Sequence, residues 1–291
     1  MHVKSLLEAR EILSDLWKKN ESIGSVHTLG ALHIAHAQLI RRSAKENKHT
    51  IVTVYPNKIQ LFPGLKYNYI LEDDVKLALE NGATMVISST DEEMFPASYC
   101  TFLDQGIAHK ALNSSVFDYA ARGQVTGSVR WINFCRPTVS YFGMKDIEQA
   151  LLVDRAVRDL LIPTKISHVP CVRTRTGVPV SSRLQFLPPE KLNDVSVVYQ
   201  GLKKAREMIL TGERQSRTVI AFLSDFYNSG IKNFDVKYIT IVAAGDFHPI
   251  ARIELPFIVH VCISDGRTTH FDGLPILTDS DLSRGPETIW V

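Results

Sequence analysis

The sequence predicts an α/β protein: a parallel sheet with helices on both faces over residues 1–172, followed by a smaller α+β unit over 173–291. Three observations carry this. Short apolar runs alternate with stretches of helical periodicity as far as Val169, the pattern of repeated βαβ units. After Pro170 that alternation stops. The 291 residues, 45% hydrophobic and 22% charged, have the composition of a folded globular chain long enough for two domains without disulfide staples.

The elements follow in order. Apolar residues recur at helical spacing from Lys4 to Lys19, and Ser22 to Val26 reads as a short strand. His27-Thr28-Leu29-Gly30-Ala31 reads as a turn, His33 to Lys45 as an amphipathic helix, and Ile51 to Tyr55 as a buried strand. Glu72 to Glu80 predicts a helix and Thr84 to Ser88 a strand; the stretch up to Ala120 reads as loop. A helix over Val125 to Cys135, a strand over Val139 to Phe142, a helix over Ile147 to Leu160 and a strand over Thr164 to Val169 complete the first part. Then come a polar connection from Arg173 to Gly177, helices at about 193–210 and 217–228, and strands at 238–242 and 258–264.

A net charge of +2 provides no overall basic field, so neither nucleic acid nor an anionic membrane is an expected partner. The apolar run from Leu255 to Ile263 is broken by His260 and far shorter than a membrane span. The apolar run at Leu6-Leu7 ends too soon for a signal peptide, which makes the cytoplasm the expected compartment. Cys100, Cys135, Cys171 and Cys262 form no CxxC pair and read as reduced core thiols.

Four short segments carry chemistry. Thr28-Leu29-Gly30-Ala31-Leu32-His33-Ile34-Ala35-His36 lies between a strand and a helix, where free backbone N–H groups and the positive end of the helix dipole favour an anion. His33 and His36, at i and i+3, share one face and can donate to a phosphoryl transition state. A zinc pair lacks the HExxH pattern and a third ligand, and a structural pair is the plainer reading of two nearby histidines taken alone. Asn57 and Gln60 follow the next strand, at the edge where open α/β sheets bind ligands, although in isolation a simple turn is the favoured reading. Gly143-Met144-Lys145-Asp146 repeats the strand-to-helix arrangement: Lys145 supplies a point charge for phosphate, Asp146 a potential N-cap, and Gln149 the next helical turn. Val180-Ser181-Ser182-Arg183 offers two hydroxyls and a guanidinium suited to a triphosphate, although a surface loop is the cheaper explanation.

Together and in this order, TLGALHIAH, YPNKIQL, AARG, GMKDIEQ and SSRL resemble the motif series TMGALHxGH, VNPxQF, HFRG, GEKDxQQ and SSRN of the pantothenate synthetase (pantoate–β-alanine ligase) family. The resemblance runs from about Ile23 to Arg183 and more weakly onward through Tyr238 to Val242 and Gly266-Arg267-Thr268. It implies a Rossmann-like nucleotidyltransferase domain with a HIGH-type histidine motif, a smaller lid domain and a homodimer. It also implies an ATP- and Mg2+-dependent ligase in which a pantoate-like carboxylate attacks the α-phosphate and a β-alanine-like amine then captures the acyl-adenylate as an amide.

By the same resemblance His33, His36, Lys145 and Arg183 are catalytic, and Thr28, Leu29, Gly30, Gly143, Asp146, Val180, Ser181 and Ser182 join them in holding the nucleotide. Leu29, Asn57, Gln60, Arg122 and Gln149 are assigned to the acid and amine, and no residue to a resident metal. The chain departs from the family pattern at His27 and Leu29 (family Pro and Met), Ala35 (Gly), Lys58 (Pro), Met144 (Glu), Glu148 (Gln) and Leu184 (Asn). Of the RPGHFRG stretch only Arg122-Gly123 remains, with Phe117 at the first Arg and Ala120 at the His; that puts the substrates in question more than ATP. A nucleotidyltransferase of the same superfamily, or a ligand-binding paralogue without turnover, is the alternative.

Overall fold

The computed structural model describes residues 1–60, 68–106, 115–182, 184 and 187–291, and for 115–120 the backbone alone. The chain divides into two compact units. One holds the described residues up to Gly143 together with Glu148–Val169; the other holds Met144–Ile147 with Pro170–Val291.

The first unit is built on a six-stranded parallel sheet of β1 (His2–Val3), β2 (Ile23–Thr28), β3 (His49–Val54), β4 (Met85–Ser88), β5 (Val139–Gly143) and β6 (Lys165–Val169). Its strand order is β1-β4-β3-β2-β5-β6. The order of strand addition reverses at β2, so the carboxyl ends of β2 and β5 flank the crevice where open α/β sheets take their ligands. The helices are α1 (Leu6–Lys18), α2 (Ile34–Glu46), α3 (Leu71–Glu80), the single turn α4 (Asp91–Met94), α5 (Ser115–Cys135) and α6 (Ile147–Asp159). Leu13 of α1, Ile23, Ile51 and Ile87 of the strands and Trp131 of α5 form one apolar cluster on one side of the sheet. Removing one fully buried Leu or Ile side chain from such a cluster costs about 2–5 kcal/mol.

The second unit opens with β7 (Cys171–Arg173), followed by α7 (Pro189–Leu210) and α8 (Ser216–Gly230). β8 (Asp235–Ala243), β9 (Phe257–Ser264) and β10 (Thr269–Ile276) then form an antiparallel sheet in the order β10-β9-β8. Leu202 and Ile209 of α7, Val219 and Leu223 of α8, and Val259, Val261 and Ile263 of β9 share its core. After α9 (Asp279–Arg284), β11 (Thr288–Trp290) returns to pair in parallel with β7.

Several expectations need correction. The helix predicted from Val125 begins at Ser115, because Gly123 and Gly127, each about 1 kcal/mol poorer than Ala in a helix, hide the pattern. His27 and Thr28, read as part of a turn, belong to β2. The helix predicted from Asn193 starts at Pro189, a residue that suits a first turn whose N–H has no partner anyway. The stretch 269–276 carries no strand signal because Gly273 and Pro275 interrupt it; it is nevertheless an edge strand, where a missing N–H is tolerated. Arg173 is no solvated linker residue: it is buried, bonded to both oxygens of Asp272 at 2.8 and 2.7 Å, and lies 4.1 Å from the Tyr199 ring centre. Of the four thiols, three are buried and Cys100 is exposed.

Candidate active site

The histidine turn grows out of β2. Thr28 pairs with Val54 across β2 and β3, so the turn after β2 and the turn after β3 leave the same sheet edge side by side. The Thr28 hydroxyl donates to the Thr53 carbonyl at 2.9 Å, closing the end of the strand, and Leu29 is half-buried. Gly30 then takes φ +101°, and a Cβ there would lie 2.7 Å from the Tyr69 ring; only glycine fits both the angle and the space. Ala31 and Leu32 donate their backbone N–H groups to Asp74 of α3 at 2.9 and 2.6 Å. Burial pushes the Asp74 carboxyl above its ordinary range, while these two bonds pull it down.

His33 is the N-cap of α2. Its Nδ1 accepts the Ala35 N–H at 3.3 Å, and Nδ1 of His36 accepts the His33 N–H at 3.2 Å. The two rings stand 4.2 Å apart between centres. An imidazole whose Nδ1 accepts a hydrogen bond carries its proton on Nε2, so both rings are set as Nε2–H donors at a helix N-terminus. That is a ready anion site.

The second cluster lies along α5. Asn57 is buried; its Nδ2 donates to the Gly123 carbonyl at 3.0 Å and to Gln60 Oε1 at 3.3 Å, while its Oδ1 has no partner among the described residues. Gln149 of α6 donates from Nε2 to Ser128 Oγ at 3.3 Å. Arg122, exposed, places its guanidinium 4.5 Å from the Phe102 ring centre. Thus Asn57, Gln60 and Gln149 converge on one helix, whereas Arg122 is engaged by an aromatic face.

His27, at the family's proline position, is a hydrogen-bonded strand residue. Its Nδ1 lies 3.0 Å from Thr53 Oγ1 and its Nε2 3.0 Å from Ser25 Oγ, whose own proton goes to Ser140 Oγ at 2.9 Å. Desolvation lowers its pKa to about 3, so the ring is neutral.

In the second unit Lys145 donates to Asp146 at 2.8 Å. Gly143, which closes β5, has no atom within 4 Å of a built Cβ, so sterics do not demand glycine there. The Val180 N–H donates to the Val172 carbonyl at 2.9 Å, Ser181 Oγ accepts the Leu184 N–H at 3.2 Å, and Ser182 follows in a turn. Arg183 lies outside the described residues, as do the side chains of Phe117 and Ala120. The sequence reading missed Asp74 and Ser128. Asp74 sits in the acidic run Glu72-Asp73-Asp74 at a helix start, where solvated carboxylates are ordinary, and only Ala78 at i+4 hints at its buried face.

A doubly wound parallel sheet with paired histidines at the turn from β2 to α2 defines a nucleotidyltransferase-fold enzyme that works on an ATP phosphate. More particularly, the chain belongs to the pantoate–β-alanine ligase family, whose model, described as Pantoate-beta-alanine ligase, matches residues 1–273. Enzymes of this family are ligases that form an amide bond with cleavage of ATP to AMP and pyrophosphate. The chain is 30% identical over 273 residues to the pantothenate synthetase of Pelotomaculum thermopropionicum, covering 92% of this chain and 96% of the relative. The crystal structure of pantothenate synthetase from Thermus thermophilus superposes with a TM-score of 0.86 at 28% identity, covering 95% of this chain and 99% of that one. The Francisella tularensis pantoate-β-alanine ligase, solved with β-γ ATP and β-alanine, shares the fold at a TM-score of 0.74 and 21% identity, over 94% and 97% of the two chains.

Proposed function

We propose that this chain condenses pantoate with β-alanine, converting ATP to AMP and pyrophosphate and passing through a pantoyl-adenylate. Family membership supports the reaction, and one structural observation carries it: a locked pair of Nε2–H donors at the carboxyl end of β2, with an amide-lined wall leaving the same edge after β3.

A carboxylate is a poor acylating agent until one of its oxygens belongs to a good leaving group. In this reading the acid is held by Gln60 and Gln149, with Asn57 Oδ1 as a further acceptor and Leu29 beside them. Its carboxylate oxygen attacks the α-phosphorus, and the bond to pyrophosphate breaks. His33 and His36 donate to the oxygens on which charge grows, together with the α2 N-terminus, and this lowers the barrier by electrostatic stabilisation. The amine nitrogen then attacks the acyl carbon, AMP departs, and the amine gives up a proton. Thr28 and Gly30 shape the nucleotide-facing turn through their backbone. Roles for Gly143, Lys145, Asp146, Val180, Ser181, Ser182 and Arg183 on the phosphates, and for Arg122 on substrate, rest on the motif match.

Mg2+ keeps most of its water and takes one or two carboxylates besides phosphate oxygens. The exposed Asp146 fits that use, and among the described residues no three-ligand cluster offers a resident site. Bound with ATP, the metal would offset triphosphate charge. The division into an ATP- and acid-binding domain over 1–172 and a lid over 173–291, supported by the change of pattern after Pro170, belongs to this proposal, as do the homodimer and the cytoplasmic location. Among the described residues no helix is long and apolar enough to cross a membrane.

The test is to incubate the chain with MgATP and D-pantoate, with and without β-alanine. The reading expects pyrophosphate and AMP, and an amide of pantothenate's mass when the amine is present. No pyrophosphate above background would refute it, and a stable nucleotidyl product would favour a plain nucleotidyltransferase.

A further inference from the structure

Two arms of the proposed acid pocket come from different elements and meet the same stretch of α5. Asn57 reaches it from the turn after β3: its Nδ2 bonds the Gly123 carbonyl, and a Cβ built on Gly127 would fall 2.3 Å from that nitrogen. Gln149 reaches it from α6, donating from Nε2 to Ser128 Oγ. Ser128 is 6% exposed and one helical turn from Trp131, whose ring stacks against His27 at 6.3 Å between centres and a 10° tilt. Trp131 is itself buried.

The two ends of an amide are chemically opposite, one a donor and the other an acceptor, and a half-turn about the last torsion exchanges them. What Gln149 offers a ligand therefore depends on which end is already committed. The bond to Ser128 takes one N–H of Gln149 Nε2 and leaves the second N–H and Oε1 for a ligand.

We infer that Ser128 is a positioning residue for the acid substrate: its hydroxyl holds the Gln149 side chain against α5, where the amide is to meet a polar group of the acid. This rests on the assignment of Gln149 to pantoate. Ser128 acts through Gln149 and touches no reacting atom, so its effect belongs in acid recognition rather than in the chemical step.

The experiment is steady-state kinetics of the full chain with MgATP, D-pantoate and β-alanine. It compares wild type, Ser128→Ala, Ser128→Thr, Gln149→Ala and the double variant Ser128→Ala/Gln149→Ala, each checked for wild-type-like thermal unfolding. Losing one neutral hydrogen bond to a positioned group predicts a three- to tenfold rise, roughly, in the pantoate KM of Ser128→Ala. The ATP KM and kcat should stay within about twofold, the pattern of lost ground-state binding. Ser128→Thr keeps the hydroxyl and should restore most of the pantoate KM. In the Gln149→Ala background the serine change should add nothing, because the partner it orients is gone. An unchanged pantoate KM in Ser128→Ala, an equal rise in the KM for ATP, or full additivity in the double variant overturns the inference while leaving the ligase reading intact. A Gln149→Ala variant with wild-type pantoate KM, or a wild type that does not turn over pantoate, overturns the underlying assignment and the inference with it.

Discussion

Asp74 receives the backbone N–H of Leu32 at 2.6 Å and, through its other oxygen, that of Ala31 at 2.9 Å. A carboxylate on α3 thereby holds the turn that presents His33 and His36, although none of the family motifs quoted from the sequence contains it. The turn needs such a tether: Gly30 and Ala31 both take positive φ, and nothing within the segment itself satisfies those two donors.

Asp74→Ala should therefore harm both stability and chemistry. Two half-buried N–H groups lose their partner, at no more than about 1–3 kcal/mol each, and the histidine turn loses its anchor. Thermal unfolding with pyrophosphate-release kinetics would check this. Asp74→Asn, which keeps one oxygen acceptor, should fall between. A wild-type adenylation rate in Asp74→Ala would show that the turn holds itself.

His36→Ala and His36→Asn separate the two duties of His36. Both remove the Nε2–H donor and should slow adenylation by about 100- to 1,000-fold, the usual effect of losing one transition-state donor, with ATP affinity changed only a few-fold. Asn retains an acceptor for the His33 N–H, so it should unfold at a higher temperature than the Ala variant. Equal losses in ATP binding and rate would remove His36 from the transition state.

His27 gives a pH signature. Its folded-state pKa of about 3 lies below the ordinary 6.5, so the unfolded chain binds the proton first. The resulting stability is complete above pH 6.5 and is lost as pH falls toward 3, by roughly 1.4 kcal/mol per pH unit. Denaturant unfolding between pH 7 and 4 should show a steeper decline for wild type than for His27→Gln. Parallel curves would mean that His27 protonates freely in the native state.

Gly123→Ala tests the docking of α5 by the sign of its effect. Helix propensity alone favours Ala by about 1 kcal/mol. A Cβ at 123, however, would lie 2.0 Å from the Ile59 carbonyl oxygen, and a backbone group can move only with its whole turn. The expected result is destabilisation by about 1–3 kcal/mol, with a raised pantoate KM as Asn57 and Gln60 shift. Stabilisation would mean that the 57–60 turn does not rest on α5.

Much of this was legible in the sequence because periodicity and turn chemistry are local. The parallel strands read as apolar runs, and the turn at Gly30 and the histidine spacing marked the start of α2 with its paired rings. What stayed hidden depends on contacts between distant segments. Asp74 looks like any first-turn acid until α3 is folded against the β2 turn. Ser128 is an unremarked helix residue until α6 brings Gln149 to it, and Gly123 and Gly127, which permit the close approach of the 57–60 turn, argue locally against the very helix that carries them. Arg173 reads as a polar linker residue because its partner, Asp272, lies 99 positions away in an edge strand with no signal of its own.

The most direct measurement is pyrophosphate release from MgATP by the purified chain with D-pantoate, followed by mass analysis after β-alanine is added. The account predicts pantoate-dependent pyrophosphate and AMP without the amine, and pantothenate once it is present. Release that does not depend on pantoate, or no amide in the complete mixture, would contradict it.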